Sequence, residues 1–155
     1  MPTISTILVA TDFSEASDSA LGYAKSLASA FNATIHVVHV LEDLAAHAWT
    51  TEVYVAALPG VHEEMEKQAR ERLDACLSPQ EREQFRAQLT LRTGSAFVEI
   101  VRHAREIKAD LLVMGTHGRG AIAHMLLGSV AERVVRKAPC PVLTVRQPEH
   151  EFVHP

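Results

Sequence analysis

The segment Met114-Gly-Thr-His-Gly-Arg-Gly-Ala-Ile-Ala-His-Met-Leu-Leu-Gly-Ser129 holds four of the chain's seven glycines: Gly115, Gly118, Gly120 and Gly128. Glycine lets backbone approach a ligand closely and reach positive φ, which is expected at Gly128, where the loop meets a helix. Successive backbone N–H groups in such a loop form a nest for an anion. A helix start adds unpaired N–H groups and the positive end of its dipole. Arg119, the one Lys or Arg in the segment, is placed to touch a phosphate. No Gly-Lys-[Ser/Thr] occurs, so this is not a Walker A loop, and no GxGxxG follows the first strand. On pattern alone, a plain strand-to-helix turn explains the segment equally well. Ser129-Val-Ala-Glu132 has the spacing of a capping box, so Ser129 is also expected to cap its helix.

Asp12 ends the first apolar run, Ile7-Leu8-Val9-Ala10. A carboxylate there can accept hydrogen bonds from ribose hydroxyls, hold a metal through water, or simply order a turn. It has no acidic neighbour and the last strand ends at Arg146, which argues against a response-regulator site. Nine histidines occur. His36 and His39 are three apart on a strand, so they face opposite ways and cannot chelate one metal as a pair. His117 and His124 lie in the glycine segment, where surface or hydrogen-bonding roles are the ordinary ones. No HExxH, CxxC or defensible Ser-His-Asp order is present. Trp49 and Tyr54 stand in an irregular stretch, as a packed loop or as a lid over a base.

These residues must be held by the surrounding elements. Strands are expected over 4–10, 34–41, 88–93, 110–114 and 142–145, where short β-branched runs are bounded by turn signals. Helices are expected after Ser14, which caps the first, over 61–77, after Gly94-Ser95 with Phe97, Ile100, Val101, Ala104 and Ile107 on one face, and over 129–138. Asn32 is a stop signal for the first helix, and Ser78-Pro79 punctuates the second. Five buried strands alternating with four helices indicate a doubly wound, parallel α/β sheet covered on both faces. Such sheets bind ligands where the winding reverses, at the carboxyl ends of strands.

At 155 residues the chain carries about one domain: 1–147, with a loose tail at 148–155. Hydrophobic residues make up 47% and charged residues 22%, which excludes general disorder. The formal charge is 15 − 19 = −4, so non-specific nucleic-acid binding is not expected. Cys76 and Cys140 are expected to be free thiols. No apolar run approaches the ~20 residues needed to span a bilayer, the start does not read as a signal peptide, and a cytoplasmic location is expected.

Gly115-x2-Gly118-x9-Gly128-Ser129 resembles the G-x2-G-x9-G-[S/T] motif of the ATP-binding universal stress proteins. ILVATDFSE (7–15), DLLVMGTHGRG (110–120) and LLGSVAERVVRKAPCPVLTVR (126–146) are similar to that family's opening strand, fourth strand with its loop, and closing helix and strand. The likeness runs from about residue 3 to 147 and is loose over 44–60. It implies a Rossmann-like, adenine nucleotide alpha hydrolase-like sheet in the order 3-2-1-4-5. It also implies a homodimer through Val142, Leu143, Thr144 and Val145. The implied ligand is ATP with Mg2+. Ala10, Thr11 and Asp12 would border base and ribose, Val40 would meet adenine through its backbone, and Met114 and Gly115 would flank ribose. Gly118, Gly128, Ser129 and Val130 would hold phosphates, with His117 and Arg119 nearby. No general base is evident, so the expected role is a nucleotide-dependent sensor or regulator with at most slow hydrolysis. The rival expectations are a nucleotide-independent dimeric interaction module and an adenylate-transferring enzyme.

Overall fold

The computed structural model describes residues 3–43, 58–117 and 127–146. Five strands form one sheet: β1 (Thr6–Ala10), β2 (Thr34–Leu41), β3 (Gln88–Thr93), β4 (Leu111–Gly115) and β5 (Val142–Val145). The described helices are α1 (Glu15–Phe31), α2 (Pro59–Ala75), α3 (Pro79–Gln84), α4 (Ala96–Glu106) and α5 (Ser129–Lys137). All adjacent strands pair in parallel, in the order β3-β2-β1-β4-β5.

The near-continuous apolar strands follow from burial on both faces. Ile7, Val9, Ile35, Val37 and Val113 point to one side, where they pack with Leu21, Ala24 and Ala28 of α1 and Leu73 of α2. Leu8, Ala10, Val38, Leu112 and Met114 point to the other, against Ile100 and Ala104 of α4 and Ala131 and Val134 of α5. His36 and His39 divide between these faces as their spacing requires: His36 approaches His103 on α4, and His39 packs on Phe13.

Local signals set most boundaries. Ser14 caps α1, its hydroxyl accepting the Ser17 N–H. Asn32 ends that helix at φ 54, the left-handed conformation asparagine tolerates. Asp110 stands just before β4, not within the expected strand. Its carboxylate accepts from the Ser5 N–H, the Ser5 hydroxyl and the Thr6 N–H, tying the starts of β1 and β4 together.

Two expectations need correction. Ser78-Pro79 does not merely end a helix but starts a short one, α3. Ser78 forms a reciprocal capping box with Glu81, and Pro79 fills the first helical position. The second is at the start of α5. Gly128, not Ser129, occupies the N-cap, and among the described residues no side chain caps the helix there. Glu132 pairs with Arg136 one turn on, at 3.0 Å, so the capping box expected from Ser129-x-x-Glu132 does not form.

Cys76 and Cys140 are both free thiols. Among the described residues no helix is long and apolar enough to cross a membrane.

Candidate functional site

The chain leaves β1 toward β2 on one side of the sheet and reaches β4 and β5 on the other. The winding therefore reverses between β1 and β4, and their carboxyl ends flank a crevice of the kind that takes ligands in α/β sheets. Ala10 and Met114 are register partners at its floor.

On the β1 side the turn after Ala10 is tightly bonded. The Thr11 N–H still donates to the Val38 carbonyl at 2.9 Å. The Thr11 hydroxyl accepts the Phe13 N–H and meets the Ser17 hydroxyl, each at 3.0 Å. The Asp12 carboxylate accepts the Ser14 N–H at 3.0 Å and also the Ser14 hydroxyl, so it orders the entry to α1. Phe13, between them, sits at φ 62.

On the β4 side Gly115 lies against the first turn of α1. A Cβ built on it would fall 2.9 Å from the Ala16 Cβ and 3.0 Å from the Ala16 carbonyl carbon. Only glycine permits this approach, so Gly115 has a packing role whatever else it does. Thr116, which sequence reasoning did not single out, is buried and governs the next step. Its N–H donates to the Val145 carbonyl at 3.0 Å, and its own carbonyl accepts the Gly128 N–H at 2.7 Å. That last bond fixes the start of α5 beside the end of β4. The Thr116 hydroxyl also bonds the His117 Nδ1 at 3.0 Å.

Gly128 has φ −68 and ψ 160, extended backbone open to any residue, so the positive φ expected there is absent. Ser129 is exposed at the first helical position, and Val130 packs partly into the core. Val40, near the end of β2, is half-buried over the same apolar layer. The structure thus brings Ala10, Thr11, Asp12, Val40, Met114, Gly115 and His117, with Gly128, Ser129 and Val130, to the carboxyl edge of the sheet and the start of α5. Gly118, Arg119, Gly120 and His124 lie outside the described residues, as do Trp49 and Tyr54.

The chemistry on offer is anion binding. α5 presents first-turn N–H groups that no side chain caps among the described residues, at the positive end of a nine-residue helix. Among the described residues no group of three or more His, Cys, Asp or Glu is placed to hold a metal ion.

Residues 3–146 match the model of the universal stress protein family. The chain belongs to that family. Among its relatives are universal stress protein MJ0531 of Methanocaldococcus jannaschii, 32% identical over 145 residues that make up 94% of this chain and 84% of the relative. Another is universal stress protein YxiE of Bacillus subtilis, 31% identical over 144 residues, 90% of this chain and 97% of the relative. In three dimensions the MJ0577 protein superposes with a TM-score of 0.77 at 25% identity, covering 96% of this chain and 99% of that one. A universal stress protein solved in complex with cAMP superposes at 0.57 with 28% identity, over 92% of this chain and 97% of the other. The strand order that the resemblance implied is the order observed. As a universal stress protein the chain carries its five strands in one parallel sheet.

Proposed function

We propose that this universal stress protein binds ATP at the carboxyl edge of its sheet and acts as a nucleotide-dependent sensor or regulator, with at most slow hydrolysis. The observation that carries this reading is the start of α5. Its N-terminal N–H groups lack a side-chain cap among the described residues, and the Gly128 N–H bond to the Thr116 carbonyl holds them beside the carboxyl end of β4. A phosphate suits such a position on grounds of both donors and dipole. The relative solved with cAMP supports an adenine nucleotide as the class of ligand.

In this arrangement Ala10, Thr11 and Asp12 border base and ribose, Val40 offers backbone to adenine, and Met114 and Gly115 flank ribose. Gly128, Ser129 and Val130 meet the phosphates, with Gly118, His117 and Arg119 contributed by the glycine segment. Mg2+ fits as a companion of the phosphates. Asp12 could hold it through water, since Mg2+ commonly keeps several waters and is bound by one or two carboxylates plus substrate phosphates. Phosphoryl transfer rests largely on positioning and electrostatics, so any hydrolysis at this site is expected to be slow. The protein is taken to work in the cytoplasm.

Gly128→Val tests the phosphate assignment. Its backbone conformation accommodates valine, so the effect falls on the space beside the N–H groups. ATP affinity should drop at least tenfold, about 1.4 kcal/mol, and adenosine affinity should drop less. Calorimetric titration of both ligands into parent and variant reads this, with circular dichroism as the folding control. A folded variant that binds ATP as tightly as the parent would remove the phosphates from Gly128.

We also propose that the protein is a homodimer joined through β5. That strand ends the sheet order, and Val142, Leu143 and Thr144 are only half-buried. Both helices that pack on β5 carry exposed apolar side chains: Tyr23 and Phe31 on α1, Val135 on α5. An unpaired apolar edge invites pairing with its own copy about a two-fold axis. Light scattering at micromolar protein should return twice the chain mass of 17.0 kDa. A single chain mass would contradict it.

A further inference from the structure

Phe13 is a bulky side chain held at φ 62. Residues kept in that region persist only where their surroundings over-determine them, and they gather at ligand clamps. Three contacts do the holding here. The Phe13 N–H is tied to the Thr11 hydroxyl. The Phe13 ring packs on His39 with centroids 4.3 Å apart, and His39 Nδ1 bonds the Thr11 carbonyl at 2.8 Å. Since a carbonyl only accepts, that nitrogen carries the proton. The third contact comes from another layer: the Arg72 guanidinium, in the last turn of α2, stands 4.5 Å from the centroid of the Phe13 ring. Arg72 also reaches the Phe13 carbonyl at 3.4 Å and forms no ion pair with a carboxylate among the described residues.

We infer that Arg72 and His39 are positioning residues for the nucleotide site: through Phe13 and the Thr11 carbonyl they lock the 11–13 turn in the conformation that presents Thr11 and Asp12 to base and ribose. This rests on the nucleotide reading above. It makes a specific demand: loss of Arg72 must act mainly through the Phe13 ring, and it must weaken every ligand that carries base and ribose, with or without phosphates. That separates it from Gly128→Val, which acts on phosphates.

The experiment is a double-mutant cycle read as dissociation constants for Mg2+–ATP and for adenosine. Arg72→Ala should weaken both ligands about fivefold, the scale of a cation–π contact. Arg72→Lys, which restores a cation over the ring, should recover most of that loss. In a Phe13→Leu background, Arg72→Ala should weaken either ligand by no more than about twofold, because the ring is gone and only the long bond to the residue-13 carbonyl remains. Thermal unfolding of each variant checks that it is folded. Should Arg72→Ala fail to fold, the Arg72→Lys and Phe13→Leu arms still decide, the first near parental and the second weakened for both ligands. A parent that binds ATP and adenosine while folded Arg72→Ala binds them equally well overturns the positioning role and leaves the nucleotide site standing. So does a loss that is the same with and without the Phe13 ring. A parent that binds neither ligand overturns both.

Discussion

Gly115→Val should lower the free energy of unfolding by about 3 kcal/mol, the upper end of what overpacking costs. The reason is the contact with α1. A Cβ at residue 115 would sit 2.9 Å from the Ala16 Cβ and within 3.2 Å of the Ala16 carbonyl oxygen. Those atoms belong to the first turn of a helix fixed by the Ser14 cap and by the Asp12–Ser14 bonds. Yielding at Ala16 means breaking that cap or lifting α1 from β4. Valine adds two methyls to the clash, and alanine, with its single Cβ, should cost nearer 1 kcal/mol. Gly60→Ala is the control. Outside its own helix backbone, none of the described residues comes within 4 Å of its Cβ position, and alanine favours helix there, so stability should hold or rise slightly. Urea unfolding gives the answer in midpoint shifts at unchanged slope. A Gly115→Val midpoint equal to the parent's would mean that α1 and β4 are not packed as described.

The second large effect is expected on acidification. His36 on β2 and His103 on α4 are buried at 8% and 6% exposure, with ring centroids 6.3 Å apart. His36 Nδ1 and His103 Nε2 have no hydrogen-bond partner among the described residues. Arg92 of β3 donates to His103 Nδ1 at 3.2 Å, so that nitrogen accepts and the ring is neutral. Burial, and then the facing His103, lower the pKa of His36. Burial, and then Arg92, lower that of His103, against an opposing pull from Glu106. Around them Arg92 pairs with Glu99 at 2.8 Å and Glu106 at 2.7 Å. In the unfolded chain both imidazoles take protons near pH 6.5, before the folded ones do. Their contribution to stability is therefore complete above that pH and is lost as pH falls below it, by at most ~1.4 kcal/mol per pH unit per histidine. The carboxylates of Glu81, Glu106 and Asp110 have lowered pKa values from their own hydrogen bonds and begin to matter only at lower pH. Unfolding midpoints measured from pH 7.5 to 5.5 should fall in the parent and fall less steeply in His36→Phe. Equal slopes would show that the pair is not buried neutral.

Much of the fold was legible because its strands are buried on both faces. Ile7 to Ala10 and Leu111 to Met114 read as apolar runs for that reason, and Ser14 and Asn32 act locally on α1. The Ser78-Pro79 signal marks the end of one helix, as expected, and also the start of another, because serine followed by proline serves both. Only the reach of Glu81 back to Ser78 decides the second. At Ser129 the opposite happened: the residues of a capping box were present, but the Gly128–Thr116 bond set the helix start one residue earlier, and Glu132 turned to Arg136. The strand order came from family resemblance and not from pattern, since hydropathy does not say which strands are neighbours. Nothing in the sequence couples Arg72 to Phe13, which lie 59 residues apart and meet only after α2 docks.

The most direct test of the account is a titration of Mg2+–ATP into the isotopically labelled protein, followed by backbone amide resonances. The account predicts saturable shifts at Thr11, Asp12, Val40, Gly115, Ser129 and Val130, on three strand ends and the start of α5, with little change along the outer face of α4. Absence of saturable shifts at those positions, or shifts confined to α4, would contradict it.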